Sequence, residues 1–324
     1  MKVKMYVLMI ALVAIVFNGC KKDDTTSSKK DPIITWANPA DITVGTLLSA
    51  TQLNATADVP GTFVYAPAIG ASLAVGANQD LTVSFAPIDV SNYNTASKTV
   101  KINVTQPTGD GGVSSAVFNT TKTYGTMTDQ NGNTYKTITI GTQTWMAENL
   151  RVTKYRNGDP IPNVTDNTAW TTLTTGAYCS YNNTANKDDI ASYGRLYNWY
   201  AASDSRNIAP LGWHVPTDAE WTTLTTYLGG ETVAGGKMKE AGTTHWTSPN
   251  TSATNESGFT ALPSGYRNSL NGSFGYLGSY GDWWSSTADG ATYAWDRYLN
   301  YVNPLCNRSY YGKQYGFAVR LIKD

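Results

Sequence analysis

Apolar and polar residues follow three different patterns along the chain, and the changes between them mark out its parts. Residues 5–17 are an almost unbroken apolar run behind Lys2 and Lys4. The run is too short to cross a bilayer as a helix and has the length of a signal-peptide core. Residues 25–31 are polar and read as a tether. The pattern then changes to a period of two. Residues 61–65 (GTFVY), 81–85 (LTVSF) and 99–104 (TVKINV) alternate apolar with polar, which predicts half-buried strands. With residues 33–36 (IITW) and the Pro and Gly between them, they predict a small all-β sandwich over residues 32–105.

Residues 106–117 (QPTGDGGVSSAV) read as a linker. Beyond them the periodicities mix. Residues 124–128 and 134–140 flank Asn131-Gly132, a strong hairpin signal, and a second turn at Gly141 leads into Trp145. Residues 193–203 place Leu196, Trp199, Tyr200 and Ser203 on one helical face. Residues 217–228 give the clearest helix. Thr217 and Glu220 form a T-x-x-E capping box, Trp221, Leu224 and Leu228 share a face, and Gly229-Gly230 ends it. Short strands are expected at residues 258–262, 282–286, 293–298 and 316–322. Strands at both ends with two helices between them predict an α+β domain over residues 118–324.

Composition narrows the function. Lys and Arg number 24 and so do Asp and Glu, with no basic stripe interleaved with aromatics, so nucleic acid is excluded as an expected partner. Nine of the ten Trp and 18 of the 21 Tyr lie beyond residue 120, which places the functional surface in the second domain.

Several segments resemble known families. The apolar run followed by Gly19-Cys20 resembles a lipobox, which implies a signal peptide over residues 1–19 and a lipid-bearing Cys20 at the head of a tether over residues 20–31. Acyl chains contribute about 0.8 kcal/mol per buried CH₂, enough for a stable anchor when two or three are present. Lys21-Lys22-Asp23-Asp24 resembles the export signal of Bacteroidetes lipoproteins, implying an outer-membrane protein displayed on the cell surface. Residues 32–105 resemble bacterial immunoglobulin-like repeats. The segments DQNGNTYKTITIGTQTWMAENLR, YGRLYNWYAA, GWHVPTDAEWTTL, GYRN, WWSST and GFAVRLIKD resemble the Fibrobacter succinogenes major paralogous (FISUMP) domain from about Tyr124 onward. That family is similar in turn to the C-type lectin-like and formylglycine-generating folds. The resemblance implies an α+β C-type lectin-like domain closed by pairing its first and last strands, behind an immunoglobulin-like sandwich.

Candidate chemistry is sparse. His214 reads as a structural residue and His245, in a Gly/Thr loop, as an exposed one, and no hydrolase or phosphate motif surrounds either. Cys179 and Cys306 are a candidate disulfide. The bond would close a long loop, worth roughly 4–5 kcal/mol in a chain-entropy picture. Two separate buried thiols are the other reading. Formylglycine-generating oxidases bind copper through two Cys, and Tyr310 and Tyr311 stand where the partner of Cys306 would be, so no copper site is expected. Asp188 and Asp189, near Asn182 and Asn183, are calcium candidates; no other cofactor is implied. Asp282, Asp289 and Asp296 would suit a glycosidase only at defined separations. Trp246, Tyr276, Tyr280, Trp283, Trp295 and Tyr310 are candidate ligand-binding residues, because such rings stack on sugars and peptides. The expected function is therefore non-enzymatic: a surface lipoprotein that binds a glycan or a surface protein. A structural component of a surface assembly is the alternative, followed by an enzyme acting on surface polymers or modifying proteins.

Overall fold

A computed structural model describes residues 28–44, 46–105 and 109–324. The signal-peptide, Cys20 and export-signal assignments lie outside these residues. In the first unit six strands form: β1 (Ile34–Thr35), β2 (Ile42–Thr43), β3 (Thr56–Ala57), β4 (Gly61–Ala66), β5 (Gly76–Pro87) and β6 (Ala96–Thr105). The sheet β2-β6-β5-β4 carries Leu81, Val83, Phe85, Val100, Ile102 and Val104 inward, as period-two alternation requires. Its companion is the two-stranded β1-β3 pair, and Trp36 fills the core with its indole N–H donated to Gln52 O at 3.0 Å. The all-β expectation survives, but an immunoglobulin-like sandwich of two full sheets does not form. Residues 36–41 and 67–75 contain no strand: Pro39 and Pro67 have no N–H to give to a ladder, and residues 68–71 turn, with Ala71 N–H donating to Ala68 O.

The second unit opens with the predicted hairpin, β7 (Gly125–Thr128) and β8 (Thr134–Ile140), followed by β9 (Gln143–Met146). Asp129 organises the first turn, its carboxylate accepting from the N–H groups of Asn131 and Asn133 and from the Tyr135 hydroxyl at 2.6 Å. Short elements follow: α1 (Asn167–Thr171), β10 (Tyr178–Cys179), α2 (Lys187–Tyr193), β11 (Leu196–Tyr197), α3 (Trp199–Ala202) and β12 (Trp213–His214). Next come α4 (Asp218–Tyr227), α5 (Glu231–Met238), β13 (Ser264–Arg267), β14 (Phe274–Leu277), β15 (Tyr280–Asp289), β16 (Tyr293–Asn300), β17 (Asn307–Gly312) and β18 (Ile322–Lys323).

Two five-stranded sheets result, β12-β18-β9-β8-β7 and β14-β13-β15-β16-β17. The described residues are 34% strand and 13% helix, so the structure is mostly β with several curled sheets. The α+β C-type lectin-like assignment is thereby corrected. One of its two helices shrinks to the four residues of α3, because Leu196-Tyr197 pairs with Tyr178-Cys179 instead and Asn198 starts the helix afresh by accepting from Ala201 N–H. The expected strand at residues 258–262 is absent; Thr260 has φ +55° and the segment is a buried loop. Residues 316–321 make only isolated bridges before β18. Closure also differs: β18 pairs with β9 and β12, while the first strand, β7, lies at the far edge.

The capped helix matches its prediction. Thr217 caps α4, Glu220 N–H donates to the Thr217 hydroxyl, and Glu220 accepts back from Thr217 N–H at 2.7 Å. Trp221, Leu224 and Leu228 are buried against Trp145, Phe259 and Trp283. The loop-rich remainder is held differently. Arg320 donates to the carbonyls of Met146, Phe259 and Thr260, and Arg267 to those of Val164, Thr165 and Gly272. Lys239 Nζ donates to the carbonyls of Thr251, Asn300 and Asn303. All three side chains are fully buried. Burial pulls Arg320 down to about 9 and Lys239 to about 8.

Candidate functional site

The second sheet carries a dense group of aromatic residues. In β15 and β16, Asp282 faces Tyr298 and Trp284 faces Asp296; Asp296 faces Ser309 of β17 and Ala294 faces Tyr311. Since side chains alternate along a strand, Tyr280, Asp282, Trp284, Asp296, Tyr298 and Tyr311 share one face. The other face carries Trp283, Arg297 and Leu299 toward α4. Gly265 and Gly281 allow β13 to run parallel to β15. Gly265 has φ +60°, and a Cβ there would lie 2.4 Å from Gly275 O.

On the first face the tyrosine rings touch in sequence. Centroids are 5.4 Å apart for Tyr266–Tyr276, 4.9 Å for Tyr276–Tyr280 and 6.1 Å for Tyr280–Tyr298. Tyr266–Tyr315 and Tyr315–Tyr311 continue the chain at 5.9 and 5.0 Å. These are edge-on and tilted contacts of the favourable kind. Tyr276 is 54% exposed and the other five are half-buried. Tyr276 also has φ +64°, a left-handed conformation that a bulky residue adopts only when its surroundings hold it there.

Beneath the rings lie two carboxyl groups. Asp282 and Asp296 are buried; one oxygen of Asp282 and both of Asp296 have no hydrogen-bond partner. Burial pushes both well above the usual carboxylate range, and for Asp296 the neighbouring Asp282 adds to the rise. Burial raises the Tyr311 and Tyr298 phenols, helped by the same acids, and takes Tyr266 up to about 12. These shifts hold the acids toward their neutral form and the phenols in theirs. The face therefore offers ring surfaces and neutral hydroxyl groups rather than charge.

Of the six aromatic candidates, only Tyr276 and Tyr280 meet on this face. Trp295 and Tyr310 lie on the opposite one, 5.7 Å apart, with the Arg308 guanidinium 3.3 Å above Trp295. Trp246 and Trp283 are core residues, their indole N–H groups donated to Ala261 O and Asn149 Oδ1 at 2.8 Å. Tyr266, Tyr298, Tyr311 and Tyr315 were not among the sequence candidates. The alternation in YGDWWSS and WDRYLN would have indicated Tyr298, but strand pairing alone brings in the others.

The remaining candidates are dispersed. Cys179, in β10, and Cys306, in the loop before β17, are free thiols buried in different core clusters, so the disulfide is corrected. Burial takes both thiols up to about 12. Asp188 and Asp189 sit in the first turn of α2 under the Asn186 cap, and Asp188 accepts from Val113 N–H at 2.8 Å. Among the described residues no three His, Cys, Asp or Glu side chains gather as a metal-binding set. Asp289 is half-buried at the end of β15 and was not found among the buried pair. His214 bridges Asp324 (2.7 Å) and Glu220 (2.8 Å). Burial works against its protonation, but these two bonds leave it above its ordinary value. His245 is not exposed as expected. Its side chain is 6% accessible and lies 2.7 Å from the buried Glu240. Residues 109–117 are likewise no free linker, since they run along this unit through Asp110–Arg151, Val113–Asp188 and Val117–Glu240 contacts.

Residues 138–323 match the family model of the Fibrobacter succinogenes major domain. The chain belongs to this family. The matched span of the Fibrobacter succinogenes major domain begins in β8 and ends in β18, so it contains every tyrosine of the aromatic face. It excludes Ser115 and the rest of the stretch before the hairpin. No curated protein and no solved structure matches the chain.

Proposed function

We propose that this chain is a lipid-anchored protein of the outer membrane, displayed on the cell surface, whose tyrosine face binds a neutral, hydroxyl-rich ligand such as a glycan without transforming it. The all-β first unit serves as a spacer. The observation that carries this reading is the contiguous run of six tyrosines, one of them held at positive φ, over two buried acids, three of whose four oxygens lack a hydrogen-bond partner. Flat rings stack on the apolar faces of sugars, and neutral phenols donate and accept with their hydroxyls. Both acids are buried beneath the rings, so the exposed part of this face presents aromatic and hydroxyl groups rather than a pair of accessible carboxylates, which favours binding over glycoside hydrolysis.

The test is affinity electrophoresis of the Cys20→Ala chain through gels containing neutral polysaccharides. Retardation is expected. Tyr276→Ala with Tyr280→Ala should weaken it by about 5- to 100-fold, from roughly 0.5–1.5 kcal/mol per lost aromatic contact. Binding that survives the double substitution unchanged would end this assignment. A second reading, contact with a surface protein, is favoured by the strip of Tyr293, Trp295, Arg308 and Tyr310. Those residue types dominate protein interfaces, and Tyr310 is 53% exposed.

A further inference from the structure

We infer that Ser115, His245 and Glu240 form a nucleophile–base–carboxylate triad that accepts an uncharged, short-chain acyl ester. This goes beyond the binding reading and uses no residue of the tyrosine face. Ser115 Oγ lies 2.9 Å from His245 Nε2, and His245 Nδ1 lies 2.7 Å from Glu240 Oε2. A serine on one imidazole nitrogen and a buried carboxylate on the other is the arrangement that activates a hydroxyl, whatever the fold. Glu240 is fully buried, with its second oxygen accepting from Val117 N–H at 2.6 Å. It holds the Nδ1 proton and leaves Nε2 to accept from the serine. Tyr193 packs edge-on against the imidazole at 5.7 Å and fixes its plane.

The serine itself is held from beneath. Alternate N–H groups of its segment bond downward, Val113 to Asp188, Ser115 to Ser192 Oγ and Val117 to Glu240, and the Ser115 hydroxyl lies 2.8 Å from Ser192 Oγ as well as against His245. The intervening Ala116 N–H has only a 3.4 Å contact with Ser114 Oγ. It is the amide directly after the nucleophile and is free to turn to an oxyanion. Ser115 is exposed, and Val113 and Val117, 73% and 50% exposed, flank it. An open site between two valines suits a small apolar acyl group.

The reaction balances as follows. Ser115 Oγ bonds to the ester carbonyl carbon while its proton passes to His245 Nε2. The bond to the alcohol oxygen breaks, and the alcohol leaves with that proton. Water then gives a proton to His245 as its oxygen bonds to the acyl carbon; the acyl–Oγ bond breaks, Ser115 Oγ takes that proton back from His245, and the carboxylic acid leaves. Glu240 is a positioning residue.

The test is incubation of the Cys20→Ala chain with a fluorophosphonate, followed by intact-mass measurement and peptide mapping. One adduct per chain is expected, on Ser115, as a P–O bond forms and fluoride leaves. p-Nitrophenyl acetate should release a burst of one equivalent of p-nitrophenol. Ser115→Ala, a change at an exposed position, should abolish both. His245→Gln should slow labelling at least 100-fold, and Glu240→Gln at least tenfold at an unchanged circular dichroism spectrum. The serine variant decides the matter even if the histidine variant does not fold. No adduct on Ser115, or a burst that persists in Ser115→Ala, would overturn the triad.

Discussion

Asp296→Asn replaces a buried acid by a neutral group of the same shape. Asp296 is fully buried, both its oxygens lack partners, and Asp282 adjoins it. In the unfolded chain its proton leaves near pH 3.9, whereas the folded site retains it to higher pH. Between those values the native state binds more protons than the unfolded one. Stability from this group is thus present in full below the unfolded value and is lost as pH rises. Each pH unit above the unfolded value at which the folded acid keeps its proton costs about 1.4 kcal/mol. The new amide has two donors, and leaving one unpaired gives back about 1–3 kcal/mol. The stability of the variant relative to wild type is therefore expected to rise with pH, by up to about 1.4 kcal/mol per unit, from a deficit of about 1–3 kcal/mol near pH 4. Urea unfolding of the full chain, followed by tryptophan fluorescence at several pH values, measures it, because nine of the ten Trp report on the second unit. A variant less stable than wild type at pH 7, with the same slope against pH, would mean that the native acid is ionised and paired, and would refute the neutral-face reading.

Thr217→Ala should cost about 1 kcal/mol by removing the α4 cap, and Trp221→Ala about 3–5 kcal/mol by emptying core volume beside Trp145, both read by chemical denaturation. A thiol reagent at pH 8 should label neither Cys179 nor Cys306 in the folded Cys20→Ala chain, but two equivalents in denaturant without reductant; none would restore the disulfide. Cys20→Ala should move the exported protein from the detergent phase to the aqueous phase, and unchanged partitioning would remove the lipid anchor.

What the sequence showed was local. Asn131-Gly132 and the Thr217–Glu220 box each act within a few residues, and both formed as expected. The alternating runs of the first unit became β4, β5 and β6. What escaped depends on distant pairing. Leu196 and Tyr197 have a helical neighbourhood but join Cys179 and Tyr178 in a ladder. Three of the six tyrosines, Tyr266, Tyr311 and Tyr315, reach the aromatic face only through the order of β13 to β17 and the loop after them. Ser115 and His245 meet across 130 residues, so a Gly/Thr loop hid a buried histidine. The buried acids were visible as residues, but their depth follows from which face of the sheet is covered.

The buried Arg267, Lys239 and Arg320 have a consequence for how this surface can change. Apart from one asparagine side chain each for Arg267 (Asn167) and Arg320 (Asn149), their bonds go to main-chain carbonyl oxygens of surrounding segments. Every amino acid carries that oxygen. The fastenings therefore recognise the path of a loop and not its letters, and most loop side chains can be exchanged without releasing the loop. A domain tied from within in this way can keep its frame while its exterior is rewritten from one copy to the next.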